Sequence, residues 1–420
     1  MVYNVKDYGA VGDGKTLNTK AIQAAIDACF AAGGGRVLLE GGVFMSGTIV
    51  LHSFVELHIA ANATLYGSPN CEDYPVHDDT KHVKSKDLPR FRNNCFIYAE
   101  ESECLSITGL GKIDCNGESF IVPRPEGENI GWRFMRINAP TPARVVFFAG
   151  CRNVKIEDVT MVNQPAGWSY WIHDCDYVTM DKLKIEADVN YPNNDGIHIN
   201  SSRNVTVSNC DITCGDDCIV VRANNRSLAE NKVCEKVTVT NCNLTSYASG
   251  IRIGWMNDGI IRNCTFSNLV MTDTTGGVRV VLPYFPLEKD KLWSADQGVE
   301  ATLIENISFN NILMDGIYSE PIRICISENE GTKIQAVRNL YFSNIHAKSV
   351  CGITMEGRPA NRLENVRISD STFEIIDVSY FGENADRHGG DNEKSPHRRP
   401  YHRIVHCDRV VFDSVEMTVV

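Results

Sequence analysis

Apolar and polar residues alternate in short runs along most of the chain. The segment Asn153-Val-Lys-Ile-Glu-Asp-Val-Thr-Met161 sets the frame: two apolar residues at alternate positions, a polar bend, then a second apolar pair. The segment Asn204-Val-Thr-Val-Ser-Asn-Cys-Asp-Ile212 repeats it. Further copies start at Tyr177, Lys236, Asp258, Asn306, Asn339, Asn365 and Arg409, with a weaker one at Cys104. From 153 onward, successive starts lie 22 to 33 residues apart, except for two intervals of 48 and 44 that fit two turns with one degenerate copy. A period of two marks a strand with one buried face. Strands this short cannot bury that face alone, whereas stacked copies bury it in one continuous column. Three short strands per turn, with no Leu-x-x-Leu-x-Leu frame, predict a parallel β-helix. Asn, Asp and Ser at the bends suit its tight corners. The expected fold class is all-β: a single-stranded right-handed parallel β-helix with an N-terminal capping helix, as one elongated domain over 1–420.

The front end changes period. Ile22, Ala25, Ile26, Cys29 and Phe30 follow the helical i, i+3, i+4, i+7, i+8 rule, predicting a cap helix within 16–33. Asn18 or Thr19 can cap its start, and Gly33-Gly34-Gly35 stops it. Such a cap protects the open end of a solenoid. Strands are expected next over Val37–Leu39, Val43–Met45, Ile49–Leu51, Val55–Ile59 and Ala63–Leu65. Just before the helix, Gly9-Ala-Val-Gly-Asp-Gly14-Lys15-Thr16 matches the phosphate-binding P-loop pattern. A P-loop enzyme is doubly wound α/β, however, and β-repeats follow here. The stretch reads instead as a Gly-rich turn into the cap.

Composition narrows the partners. With 43% hydrophobic and 22% charged residues among 420, the chain is neither disordered nor collagenous. A net charge of −12 opposes nucleic acid and anionic membranes, so neither is an expected partner. No stretch approaches the roughly 18 apolar residues of a membrane span. The oligomeric state is not fixed by any of this. The 16 cysteines are the unusual count. Cys210, Cys242 and Cys264 follow the bends Asn209, Asn241 and Asn263, which predicts a ladder of buried thiols. The close pair Cys214-x-x-x-Cys218 has no second pair at ligand spacing, so no metal centre is expected. No charged and apolar leader precedes the first strand pattern. The expectation is a cytoplasmic, reducing location, or a secreted protein whose leader is already removed.

Chemistry concentrates in two acidic signatures, Asn193-Asn194-Asp195-Gly196 and Gly215-Asp216-Asp217. Asp195 and Asp216 are 21 residues apart, close to one turn, which makes them neighbours on one face. Three gathered carboxylates are costly unless solvated, paired or used. They suit glycoside hydrolysis, one acid protonating the leaving oxygen while others deprotonate a water. In a regular strand Asp216 and Asp217 would point to opposite faces, and Gly215 offers the backbone freedom to break that alternation. Calcium is the competing use of the same acids.

The opening Val5-Lys-Asp-Tyr-Gly-Ala-Val-Gly-Asp-Gly14, the repeats and both acidic motifs together resemble family 28 glycoside hydrolases, the polygalacturonases and their rhamnogalacturonan-acting relatives. The resemblance implies inverting hydrolysis of pectic polysaccharide or oligosaccharide without a cofactor. It implies Asp216 as general acid, Asp195 and Asp217 as the pair activating water, and Asn193 as their positioner. Two family features differ. Where a Gly-His-Gly is expected the chain reads Ala248-Ser249-Gly250, and where Arg-x-Lys is expected it reads Arg279-Val280-Val281. Arg252, on the same strand face as Gly250, can supply a bidentate grip on a carboxylate. His198 can touch either the acids or the sugar. Trp168, Trp171, Trp255 and Tyr284 are candidate sugar platforms. The polar segment 383–403, with His388, His397, Arg398, Arg399 and His402, can act as a flap that replaces the missing Lys and favours exo cleavage. Two alternatives stand beside the hydrolase: a calcium-dependent β-elimination lyase, and a glycan-binding β-helix without activity.

Overall fold

The computed structural model describes residues 1–77, 80–82, 94–125, 132–255, 257–282, 301–326, 333–384 and 400–420. Tyr284 and most of 383–403 lie outside the described residues, including His388, His397, Arg398 and Arg399.

The chain winds as a right-handed parallel β-helix. One sheet of 20 strands and another of 11 strands run along it, and the strands of both pair in parallel with the turns before and after. Three strands make a turn in the first half, as in Trp168–His173, Asp176–Asp181 and Lys184–Glu186. Further on, the last two fuse into one long bent strand, as in Cys234–Ser246, Ile260–Thr274 and Thr302–Ile317.

The bends explain the repeat. Each copy turns twice through the left-handed region, five residues apart: Asn204 and Asn209, Asn263 and Asn268, Asn306 and Asn311, Asn339 and Asn344 all have φ of 53–56°. A non-glycine residue there costs about 1–2 kcal/mol, least for Asn, whose side chain bonds locally. Stacked turns then join these amides into ladders. Asn311 Nδ2 donates to Asn268 Oδ1 at 2.8 Å, and Asn344 Nδ2 donates to Asn311 Oδ1 at 2.9 Å. Inside, Phe266, Phe309 and Phe342 stack with centroids 5.1 and 4.6 Å apart, close to the ~4.8 Å strand spacing.

Three expectations are corrected. The copy read from Asp258 starts at Asn263, five residues later, because Asn263 holds the left-handed bend. Neither long interval conceals a missed turn. Strand Ile260–Thr274 pairs directly with Thr302–Ile317, and Leu363–Ile375 with Cys407–Val419. The additional residues are single-turn insertions, and an insertion leaves the ladder on either side in register. The thiol ladder shrinks to Cys210 and Cys242, since Cys264 pairs with Val237 and Cys242 with Leu269. Cys264 follows the first bend of its turn rather than the second. None of the 16 cysteines is in a disulfide, and all but Cys71, Cys104 and Cys407 are buried.

The cap helix spans Thr19–Ala31 and buries Ile22, Ala25, Ile26 and Cys29. Neither candidate caps it with a side-chain bond. Asn18 uses its amide on the preceding loop, accepting from Val11 N at 2.7 Å, and Thr19 Oγ1 accepts from Gly47 N at 2.8 Å. The P-loop-like stretch forms no phosphate cradle. Asp13 Oδ1 already takes Lys15 N and Thr16 N at 2.9 and 2.8 Å, and these bonds hold its carboxyl down at about 2. Among the described residues no helix is long and apolar enough to cross a membrane.

Candidate active site

The acids stand where chain corners feed the 11-stranded sheet. Asn193–Gly196 leads into strand Ile197–Asn200, and 215–218 leads into Ile219–Arg222. Asp216 and Asp217 thus occupy a bend, and the strand rule that would send them to opposite faces does not apply. Gly215 matters for space, since its φ is not left-handed. A Cβ there would lie 2.3 Å from the Tyr191 carbonyl oxygen and 2.8 Å from that of Val189. Close packing, rather than the backbone freedom expected from the sequence, is the physical reason for that glycine. Asn194 locks the two corners together, accepting from Gly215 N at 2.7 Å and donating to the Asp188 carbonyl at 2.7 Å.

Asp195, Asp216 and Asp217 each bring a carboxylate oxygen within 4.8 Å of the others. Every one is engaged by a neighbour. Asn193 Nδ2 donates to Asp216 Oδ2 at 3.0 Å, and Asp216 Oδ1 accepts from Asp217 N at 3.0 Å. His198 Nε2 meets Asp195 Oδ2 at 2.8 Å. Burial pushes the His198 imidazole well below its ordinary range, and the Arg222 and Arg144 cations push the same way. The contact is therefore a neutral N–H donating to a carboxylate, not an ion pair. Trp168 stacks on that imidazole with centroids 3.7 Å apart, and the Arg144 guanidinium covers Trp168 at 3.9 Å.

Arg252 supplies the opposing charge. Its Nε is 3.9 Å from Asp217 Oδ2, and its guanidinium lies 4.0 Å over the Trp255 ring. Burial lowers it to about 10 while Asp217 pulls it back up, so it stays a cation at neutral pH. Behind it, Arg222 makes a bidentate pair with buried Asp258 at 2.7 and 2.8 Å. Asp258 Oδ2 also takes Trp255 N at 3.1 Å, so this pair holds the Trp255 corner. These groups line a cleft of about 290 Å³ closed on one flank by Trp132, whose Nε1 donates to the Gly215 carbonyl at 2.5 Å.

Of the residues picked out from sequence, the three acids, Asn193, His198, Arg252 and Trp255 converge here, with Trp168. Ser249 does not. It is fully buried, and its neighbour Ala248 lines the cleft instead. Ser249 shares its strand face with Ile251 and Ile253, which point into the core. Trp171 is also buried, 1% exposed, and serves the core. Arg279 stands one strand beyond the cleft, in register with Arg252. Trp132 and Arg222 were missed. Trp132 reaches the site from an inserted hairpin that no repeat signal marks, and Arg222 sits in a strand whose neighbours are all apolar.

Residues 76–387 match the family Glycosyl hydrolases family 28. The chain belongs to that family. Residues 2–89 also match the family Rhamnogalacturonase A/epimerase, pectate lyase-like. An endo-polygalacturonase of Pectobacterium carotovorum is 26% identical over 380 residues, 86% of this chain and 87% of that one. An exo-poly-alpha-D-galacturonosidase of Dickeya chrysanthemi is 29% identical over 252 residues, 52% of this chain and 41% of that one. The crystal structure of an exopolygalacturonase from Thermotoga maritima shares the fold with a TM-score of 0.71 at 22% identity, covering 100% of this chain and 92% of that one. As a family 28 member the chain is a glycoside hydrolase. At the His position of the family pattern it carries the buried Ser249, and an imidazole reaches the acids from His198, two strands away.

Proposed function

We propose that this family 28 hydrolase cleaves glycosidic bonds in pectic polysaccharide or oligosaccharide of galacturonan or rhamnogalacturonan type. Asp216 is the general acid, and Asp195 and Asp217 activate water. The observation that carries this reading is the meeting of three carboxylates within 4.8 Å in a cleft that also holds a buried cation, Arg252. The roles separate by environment. Asp195 accepts from the neutral imidazole of His198 and Asp217 faces the Arg252 guanidinium, the partners that would hold a water-activating pair in place. Asp216, 23 residues from Asn193 in sequence, accepts from the Asn193 amide and from the Asp217 backbone N–H.

Acid and base in inverting glycosidases usually stand about 6.5–9.5 Å apart. The spacing here is shorter, so the water would lie between Asp195 and Asp217, beside the scissile bond. Exo action is supported by the hairpin of strands Ile121–Pro123 and Phe134–Arg136, whose Trp132 reaches Gly215 and walls one side of the cleft.

The test is incubation with homogalacturonan, rhamnogalacturonan and short oligomers, with proton NMR of the first anomer formed. Inversion and release of chain-end units are expected. Retention would overturn the water-activating roles, and random mid-chain cuts would overturn exo action. Asp216→Asn should lower kcat by about a thousandfold with the circular dichroism unchanged. Full retained activity in that variant would remove Asp216 from the acid role.

A further inference from the structure

Beyond the cleft the outward face of the 11-stranded sheet carries a straight column of polar residues. Register pairs Arg252 with Arg279, Arg279 with Arg323, Arg323 with Thr354, and Thr354 with Arg403. Consecutive members are one strand apart, about 4.8 Å. The column begins at the acids and runs toward the last turn of the β-helix, about 19 Å in all.

Its arginines contrast with three closely paired ones on the large sheet. On the large sheet Arg36, Arg262 and Arg338 meet Glu56, Glu235 and Glu305 at 2.8 Å, the distance of a full charge-assisted bond. In the column the nearest acids stand farther off. Arg252 is 3.9 Å from Asp217, Arg323 is 3.5 Å from Glu320, and Arg403 is 3.4 Å from Glu356. The Nε atoms of all four column arginines and the Oγ1 of Thr354 are buried and have no hydrogen-bond partner among the described residues. Buried donors left unmade are costly, and five in one line is a site waiting for acceptors. Glu320, itself buried, sits beside both Arg279 and Arg323, and its carboxyl is held low by those two cations. It steadies the guanidiniums at one edge, while the Nε of each stays without a hydrogen bond.

The geometry points to a ladder of carboxylate subsites. Arg323 and Arg403, with Thr354 between them, extend the grip of Arg252 and Arg279 to a run of uronate residues lying along the helix axis. A strand step is comparable with the advance of one sugar in a polyuronate, so successive carboxylates can meet successive rungs. The planar guanidinium fork matches a carboxylate bidentately. The molecule as a whole carries −12, so a polyanion can dock only where cations are gathered in this way. This inference rests on the pectic reading above, and it adds that affinity is set by how many consecutive uronates the substrate carries.

The experiment compares wild type, Arg323→Gln and Arg403→Gln on oligogalacturonates of increasing length, with binding of the same oligomers to Asp216→Asn protein by calorimetry. Each variant should raise KM by about tenfold on oligomers long enough to reach its rung, with kcat held. The penalty should begin at a shorter chain for Arg323 than for Arg403, and carboxyl-reduced oligomers should not distinguish the variants from wild type. Hydrolysis of uronates with identical length profiles in all three proteins would overturn the ladder and leave the hydrolase reading intact. Arginine-dependent uronate binding without any turnover by wild type would keep the ladder and sink that reading. Loss of binding to charged and reduced oligomers alike would show a packing role and overturn the ladder too.

Discussion

At the scale of single residues, the site is a problem of close approach. Three carboxylates converge because Gly215 lets one corner press against the carbonyls of Tyr191 and Val189, and Asn194 bolts the corners together. Gly215→Ala should therefore cost more in rate than in binding. A Cβ 2.3 Å from a backbone oxygen has to displace one of the two corners, and a shift of the order of 1 Å at a catalytic group costs about a hundredfold in kcat. Steady-state kinetics on a pectic oligomer, with a melting curve alongside, reads this. An unchanged kcat would mean that the corner absorbs the methyl without moving Asp216. The acids and Asn193 were legible from the sequence because they sit in short motifs one turn apart. Ser249 was misread because motif alignment gives position, whereas the face a side chain takes depends on strand alternation beyond the corner. His198 brings an imidazole to the acids from two strands away, which no linear spacing announces.

At the scale of the element, the repeating unit is defined by its left-handed bends more than by its strands. Asn268 has φ 55°, donates to Asn241 Oδ1 at 3.2 Å and accepts from Asn311 Nδ2 at 2.8 Å. Asn268→Ala loses both bonds and places a Cβ in the left-handed region, for a loss of about 2 kcal/mol. Asn268→Gly loses the same bonds but takes the bend freely, so it should cost less than half as much. Urea denaturation of the two variants checks the order. Equal losses would move the stabilisation from the backbone to the amide ladder. The same bends show why the repeat was read with the wrong start at Asp258. A polar residue before alternating apolars fits the pattern, yet Asp258 instead holds Arg222 and the Trp255 backbone.

At the scale of the whole molecule, stability depends on imidazoles enclosed between turns. His173 is fully buried, accepts from Asn200 Nδ2 at 2.6 Å and shares its other nitrogen with the His82 carbonyl and Ser227. Burial pushes it down to about 4, and His198 is displaced in the same direction. An unfolded His takes up a proton near 6.5, so below that pH the unfolded chain binds more protons than the folded one. Stability is thus fully present above pH 6.5 and falls as pH drops from there toward 4, by about 3 kcal/mol for His173 alone. His82 works the other way. Its bond to Asp174 at 2.5 Å raises it, so its contribution is complete below 6.5 and fades as pH rises above. Burial depresses His77 and His402 as well, and four depressed imidazoles against one raised should leave a net decline between pH 6.5 and 4. Denaturation midpoints measured across that window test it, and a rising midpoint on acidification would reject the assignment of neutral buried histidines.

The linear chain by itself determined the period, the parallel stacking, the cap helix, the two acidic corners and the buried state of most thiols. Each of these is a local pattern repeated at a nearly fixed interval, and stacking only copies it. Only the tertiary structure decided which residues stand on one rung, and rungs are where the chemistry lies. Insertions of uneven length separate Arg252, Arg279, Arg323 and Arg403 by 27, 44 and 80 residues, yet they stand one or two strands apart. A parallel ladder conserves register, not sequence distance. For that reason the acids could be read from the chain, and the cationic column beyond them could not.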